Sequence, residues 1–316
     1  MLQTSILLSA LFAGIVATLV TIAIERFGGR TGGVLATIPT TIVPAALGMY
    51  SISSETEFAQ SMSIVPFGMM VNAIFLLVWI HAPQRLGLSL FGTTILSLLV
   101  WTVIGSVGLV ASSQIQSLGF DAFAYALCGL GLLIALGIRA TWTSRPAPKG
   151  HRSVRPMVLV LRGSAAAIAI GVAVWLSGLS YPFISGLIST FPAIFLTSMI
   201  ALWLAQGQDV PQGAAGPMML GGASVGVFAV LAIVLFPMFG PIAGSIITWL
   251  LSIIGWTIPA YFYLQWRQSL TSLDQRSEAG TSTISNCSEL TPLTSARWRR
   301  NARASMRQQG QCGRDG

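Results

Sequence analysis

The chain has 316 residues, of which 53% are hydrophobic and only 8% charged, and its formal net charge is +8. An ordinary soluble domain carries roughly 25% charged residues, so a chain this apolar has too few charges to cover a surface facing water, and the composition points to an integral membrane protein. A basic excess would suggest nucleic acid in a soluble protein; here it sets orientation and meets anionic lipid headgroups, and no nucleic-acid partner is expected.

Nine apolar runs reach the roughly 20 helical residues needed to cross a bilayer. In chain order they cover 4–24, 31–50, 60–80, 87–111, 119–139, 156–177, 183–204, 216–237 and 241–265. Barrel strands would alternate apolar and polar with a period of two, whereas these runs are continuously apolar, so all nine are predicted as transmembrane helices. The first resembles a signal peptide in position only. Its leading residues Met1–Thr4 carry no side-chain charge, and the run continues to Ile24, past the 7–15 residues of a typical signal core. It is therefore expected to stay as a span.

Charge placement tests that count. Nine crossings put the N-terminus and the loops near 51–59, 112–118, 178–182 and 238–240 on one face, and that face has no Lys or Arg. All 17 basic residues, from Arg26 and Arg30 through Arg85, Arg139 and Arg162 to Arg314, fall on the other. Dropping the fifth run, the one that holds Asp121, would divide them 3 against 14. By the positive-inside rule the basic face is cytosolic. The expected location is thus the plasma (inner) membrane, with the N-terminus outside and the C-terminus in the cytosol. Residues 267–316, rich in Ser, Thr, Arg and Gln, read as a disordered basic cytosolic tail. Cys128 lies in the fifth run, and Cys287 and Cys312 in the tail, with no metal or redox spacing.

An internal repeat organises the rest. Gly33-Val34-Leu35-Ala36-Thr37-Ile38-Pro39 matches Gly186-Leu187-Ile188-Ser189-Thr190-Phe191-Pro192 at an offset of 153 residues. Downstream, Gly68-Met69-Met70 echoes Gly216-Pro217-Met218-Met219, and Trp101 falls near the place of Trp249. The chain then divides into a first four-span repeat (1–111), a linking span with its linker (112–155), a second repeat (156–266) and the tail. One span between two four-span units makes the second unit enter from the opposite side. The predicted fold is therefore all-α, 4+1+4, with inverted-topology halves. Secondary transporters are built this way, with the substrate site at the midplane between the halves.

Proline chemistry marks candidate positions. Pro39 and Pro192 lack an N–H, so the carbonyls of Leu35 and Ile188 are expected to lose their helical partners. In hydrocarbon an unpaired carbonyl costs several kcal/mol unless something satisfies it. Hydroxyls at Thr37, Thr40, Ser189 and Thr190, the amide of Asn72, or a bound solute could do so. Thr37, Pro39, Thr40, Asn72, Ser189, Thr190 and Pro192 are thus the candidate substrate-binding residues. Each Thr-x-Pro segment admits two readings, a kink in a packed helix or part of a polar site. Catalysis finds no support: Asp, Glu, His and Lys are missing from the depth of every run, and no cofactor or metal is expected.

The run Tyr181-Pro182-Phe183-Ile184-Ser185-Gly186-Leu187-Ile188-Ser189-Thr190-Phe191-Pro192 is similar to the second span of the small GlpM-like bacterial inner-membrane proteins. Those chains have about four spans and a similar aromatic-x-x-Gly-Leu-Ile-x-x-Phe-Pro segment. The resemblance covers roughly 156–265, and more faintly 4–111, where Ile38 replaces the Phe. It implies a duplicated four-span unit and brings no catalytic residue or substrate with it. The sequence thus predicts a non-enzymatic permease for a small solute, with or without a coupling ion, able to exist as a homo-oligomer. The alternative is a membrane scaffold acting through its tail and linker.

Overall fold

The computed structural model describes residues 2–27, 38–117, 121–143, 156–267 and 269–270. The expectations for Gly33–Thr37, for the linker beyond residue 143 and for the tail from residue 271 lie outside the described residues. Met1–Leu264 forms one compact unit, which holds the helical bundle, and Gln265–Gly316 a second, which is described only over a few helical residues.

Every regular element among the described residues is a helix: α1 (Leu2–Phe27), α2 (Ile42–Tyr50), α3 (Glu55–Leu86), α4 (Leu90–Ser117), α5 (Ala122–Thr143), α6 (Pro156–Gly178), α7 (Pro182–Ser189), α8 (Ala193–Gln206) and α9 (Asp209–Ser252). A π-helical turn at Ile253–Thr257 continues α9. Six stretches are long and apolar enough to cross a membrane: Glu55–Leu86, Leu90–Ser112, Phe123–Trp142, Leu159–Gly178, Pro182–Leu204 and Pro211–Arg267. Gln3–Leu19 is a shorter apolar helix.

The last of these is not one rod. A straight 57-residue helix would be about 86 Å long, far beyond a bilayer. Gly240, with φ 75° and ψ 173°, breaks it. A Cβ at Gly244 would stand 2.9 Å from the Leu235 carbonyl oxygen, and the Trp256 indole Nε1 donates to the Leu220 carbonyl at 2.9 Å. Residues so far apart in sequence meet only if the chain reverses at Gly240, a conformation reserved for glycine.

Small residues decide which helices touch. On α1 and α6, Ala10 meets Gly171, Gly14 meets Ala167, and Thr18 meets Gly163. Numbers rise on one helix as they fall on the other, so the two run antiparallel. Both carry a small residue every fourth position, which lets backbones approach without the hydrophobic driving force that membranes lack. Likewise α3 and α9 run antiparallel, with Pro66 at Gly226, Met69 at Gly222, and Gln84 bonded to Gln212. Helix α5 lies against both, through Gly129 on Pro66–Phe67 and Gly137 on Leu220. Around this frame α2 packs on α1, α6 and α9, while α7 packs on α3 and α6.

The helix ends gather into two groups. At one end Ser5 bonds Ser51 at 3.1 Å, and Glu57 bonds the Ser180 hydroxyl. Ser54 caps α3 there in a reciprocal box with Glu57, and Tyr50, Phe58 and Phe236 stack beside it with centroids 5.0–5.5 Å apart. At the other end lie the Gln84–Gln212 bond and the contact of Thr141 with Tyr263 at 3.4 Å.

Candidate functional site

The seventh predicted run is a broken helix. Helix α7 stops at Thr190 (φ −95°, ψ 8°), and Pro192 (φ −76°, ψ 38°) opens α8. Accounting for the backbone groups shows how the break is tolerated. The carbonyl of Ile188, which Pro192 has no N–H to serve, is taken by the Phe191 N–H at 3.0 Å, and Thr190 N–H bonds the Leu187 carbonyl at 3.1 Å. These i→i−3 bonds tighten the last turn in the 3₁₀ manner. The Thr190 hydroxyl donates to the Leu187 carbonyl at 2.7 Å, rather than to Ile188 as the proline argument anticipated. The carbonyl of Thr190 finds its partner on another helix.

Asn72 takes it. Its Nδ2 donates to Thr190 O at 2.7 Å, and its Oδ1 accepts from the Trp101 indole at 2.7 Å. The neighbours dictate the orientation of this amide, because an indole N–H only donates and a carbonyl only accepts. Asn72 is 2% exposed and Thr190 4%. Three elements thus converge on one amide: α3 supplies Asn72, α4 supplies Trp101, and the break supplies the carbonyl. Trp101 also lies edge-on to Phe191 with centroids 5.5 Å apart. Gly68, one turn before Asn72, makes room for this: a Cβ there would collide with the Thr190 hydroxyl.

Of the predicted residues, then, Asn72, Thr190 and its chain neighbours Ser189 and Pro192 come together. Ser189 spends its hydroxyl locally on the Gly186 carbonyl at 2.6 Å. Pro39 is buried and Thr40 half-buried just ahead of α2, with the Thr40 N–H on the Ile38 carbonyl at 2.8 Å. That segment leads into a helix packed on α1, α6 and α9, and Thr37 lies outside the described residues. Sequence reasoning noted Gly68 and Trp101 as repeat markers but not as partners of Asn72.

Arg162 was also missed as a structural residue. Counted in the sequence only among the basic residues of the cytosolic face, it is 6% exposed. It donates from Nε to Thr197 Oγ1 at 3.1 Å and from Nη2 to Ser198 Oγ at 2.7 Å, tying α6 to α8. Compared with family models, curated proteins and solved structures, the chain matches none.

Proposed function

We propose that the protein is a multi-pass membrane transporter for a small solute, working by alternating access between two inverted four-span halves. The observation that carries the proposal is the break at Thr190–Pro192, whose freed carbonyl is held by Asn72. A break at membrane depth puts polar backbone where a solute can exchange for an internal partner. The donors and acceptors there are neutral, which suits an uncharged polar solute or Na⁺. The site comprises Asn72, Ser189, Thr190 and Pro192, with Thr37, Pro39 and Thr40 as their counterparts in the first half.

The helix pairings support the inverted arrangement. The repeat carries 42–50 onto 195–203, so the exchange sets α1 against α6, α2 against α8, and α3 against the first part of α9. The α1–α6 and α3–α9 pairs map onto themselves, and both are antiparallel, as an in-plane two-fold requires. The α1–α2 pair maps onto α6–α8, and α5 touches both central helices. Each half also sends one indole to its central helix, Trp101 to Asn72 and Trp256 to the Leu220 carbonyl. Counting α1, the partly described second run and the reversal at Gly240 gives nine crossings. In this reading the face that carries the arginines is cytosolic, with the N-terminus outside and the C-terminus in the cytosol. The duplicated unit would be of the GlpM-like kind.

Solute uptake profiled in proteoliposomes tests the reading, across neutral polar solutes, Na⁺ and small anions. For a transported solute, Thr190→Val and Thr37→Val should each weaken affinity by roughly 10-fold or more, since a polar contact is left unmade. Removing 267–316 should leave uptake intact. Transport unchanged in both Val variants would return the Thr-x-Pro segments to helix kinks, and loss of all activity on tail removal would favour the scaffold.

A further inference from the structure

Helices α7 and α8 meet α3 in different ways. Along α7 the backbones touch: a Cβ at Gly186 would run into the Ser61 carbonyl oxygen. Past the break they draw apart, since α3 packs far less on the 14-residue α8 than on the 8-residue α7. Aromatic side chains bridge the gap. Trp79 lies edge-on to Trp203 of α8, with centroids 5.9 Å apart at 74°, and Phe75 is 6.4 Å away.

Trp79 is 0% exposed, and its indole Nε1–H has no acceptor among the described residues. An indole nitrogen can only donate, and it has no way to turn back onto a carbonyl of its own helix as a Ser or Thr hydroxyl does. A buried donor left unmade is costly, and its presence calls for a reason. Residues 68, 72 and 79 are separated by four and seven positions, so they share one face of α3. The unpaired donor therefore lies on the face that looks at the broken helix, about 10 Å from Asn72 toward the Leu86 end. On the far side of α8, Arg162 holds Thr197 and Ser198, just past the break. Those bonds tie α8 to α6.

We infer that the gap between α3 and α8 is a second contact point for the solute, where the Trp79 indole N–H meets an oxygen acceptor once α8 swings outward on the Thr190–Pro192 break. The inference rests on the transport reading, but its test needs no transport. A neutral donor flanked by aromatic faces selects a small molecule that presents a hydroxyl, carbonyl or carboxylate oxygen beside an apolar surface. Arg162 acts as a positioning residue that sets how often α8 opens.

The test uses the full chain in lipid nanodiscs with ¹⁵N-labelled tryptophan, the Trp79 signal being assigned by its loss in Trp79→Phe. Ethylene glycol, N-methylacetamide and acetate serve as hydroxyl, carbonyl and carboxylate probes. The Trp79 Nε1–H signal should shift saturably with at least one of them, while that of Trp101, already bonded, stays in place. In Thr197→Val with Ser198→Ala, exchange of the Trp79 proton with deuterated solvent should accelerate by roughly 10-fold or more, because local opening limits exchange. Arg162→Lys offers a second route to the same acceleration should the double variant not fold. A Trp79 signal that ignores all three probes, or exchange unchanged in both backgrounds, overturns the inference and puts the N–H permanently on the Trp203 ring. A responding Trp79 in a protein that moves no solute would keep the binding site and sink only the transport reading.

Discussion

Replacing Asn72 with Leu keeps the branched outline of the side chain, in a slightly bulkier form, and deletes both polar arms of the amide. The Thr190 carbonyl and the Trp101 indole N–H, each bonded at 2.7 Å in the native protein, lose their partner together. Interhelical hydrogen bonds in membranes average about 0.6 kcal/mol and reach about 1.7, while an orphaned buried group costs about 1–3 kcal/mol. Trp101 is 6% exposed and Thr190 4%, so water offers little rescue to either group. The expected loss is about 1–3 kcal/mol, read from reversible unfolding in mixed detergent–SDS micelles. Trp101→Phe removes only one bond and should cost roughly half as much. In the double variant the second change should be nearly silent, giving a coupling energy of about 1 kcal/mol in a double-mutant cycle. An Asn72→Leu protein within about 0.5 kcal/mol of the parent, or a strictly additive cycle, would refute the view that this amide bridges α3, α4 and the break.

Gly186→Ala drives a Cβ into the Ser61 carbonyl, which cannot move without parting α3 from α7, so it should cost about 1–3 kcal/mol; Gly131→Ala meets nothing within 4 Å and should instead gain up to about 1 kcal/mol in helix stability, both measured by thermal melts in detergent. Glu57 should give an acid-limb dependence: the Ser54 N–H, then the Ser180 and Ser54 hydroxyls, hold its carboxyl below the usual carboxylate range. Because its folded-state pKa is depressed, its contribution is full above the unfolded value, near 4.3, and is lost as pH falls through the folded one. Ser54→Ala should cost about 1 kcal/mol at neutral pH and flatten that limb, with an unaltered pH–stability curve counting against the cap. Cysteines placed singly at Ser54, Ser113 and Ser180 should react with an impermeant thiol reagent from outside, and those at Gly28, Ser144 and Ser272 only after the cell is opened; outside labelling at Ser144 would break the nine-span topology.

Some of the site was legible in the sequence alone. Asn72 stood out as the polar residue in the middle of the third run, and Pro192 marked the break, because each is conspicuous against an apolar background. The pairing between them was not legible. The proline rule correctly freed the Ile188 carbonyl, but the local turn closed on it through Phe191 N–H, and the group in need of a distant partner became the Thr190 carbonyl. Gly240 shows the reverse case: only three residues were allotted to the joint near 238–240, and the glycine there provides the left-handed conformation that a reversal that tight demands.

Hydropathy, length and the placement of arginines determined that this is a bundle of apolar helices, and they suggested which ends share a face. Those are properties of one segment against its solvent, so they can be read locally. Which helix lies on which was left to the tertiary structure. In a bilayer, apolar surface is equally content against lipid or protein, so hydrophobicity does not choose neighbours. Close approach of small residues does, and so do a few buried hydrogen bonds. The Gly14–Ala167 and Thr18–Gly163 contacts, the bond from Asn72 to a carbonyl 118 residues away, and the tie from Arg162 to α8 are all relations between two segments, and each comes into being only when both are in place.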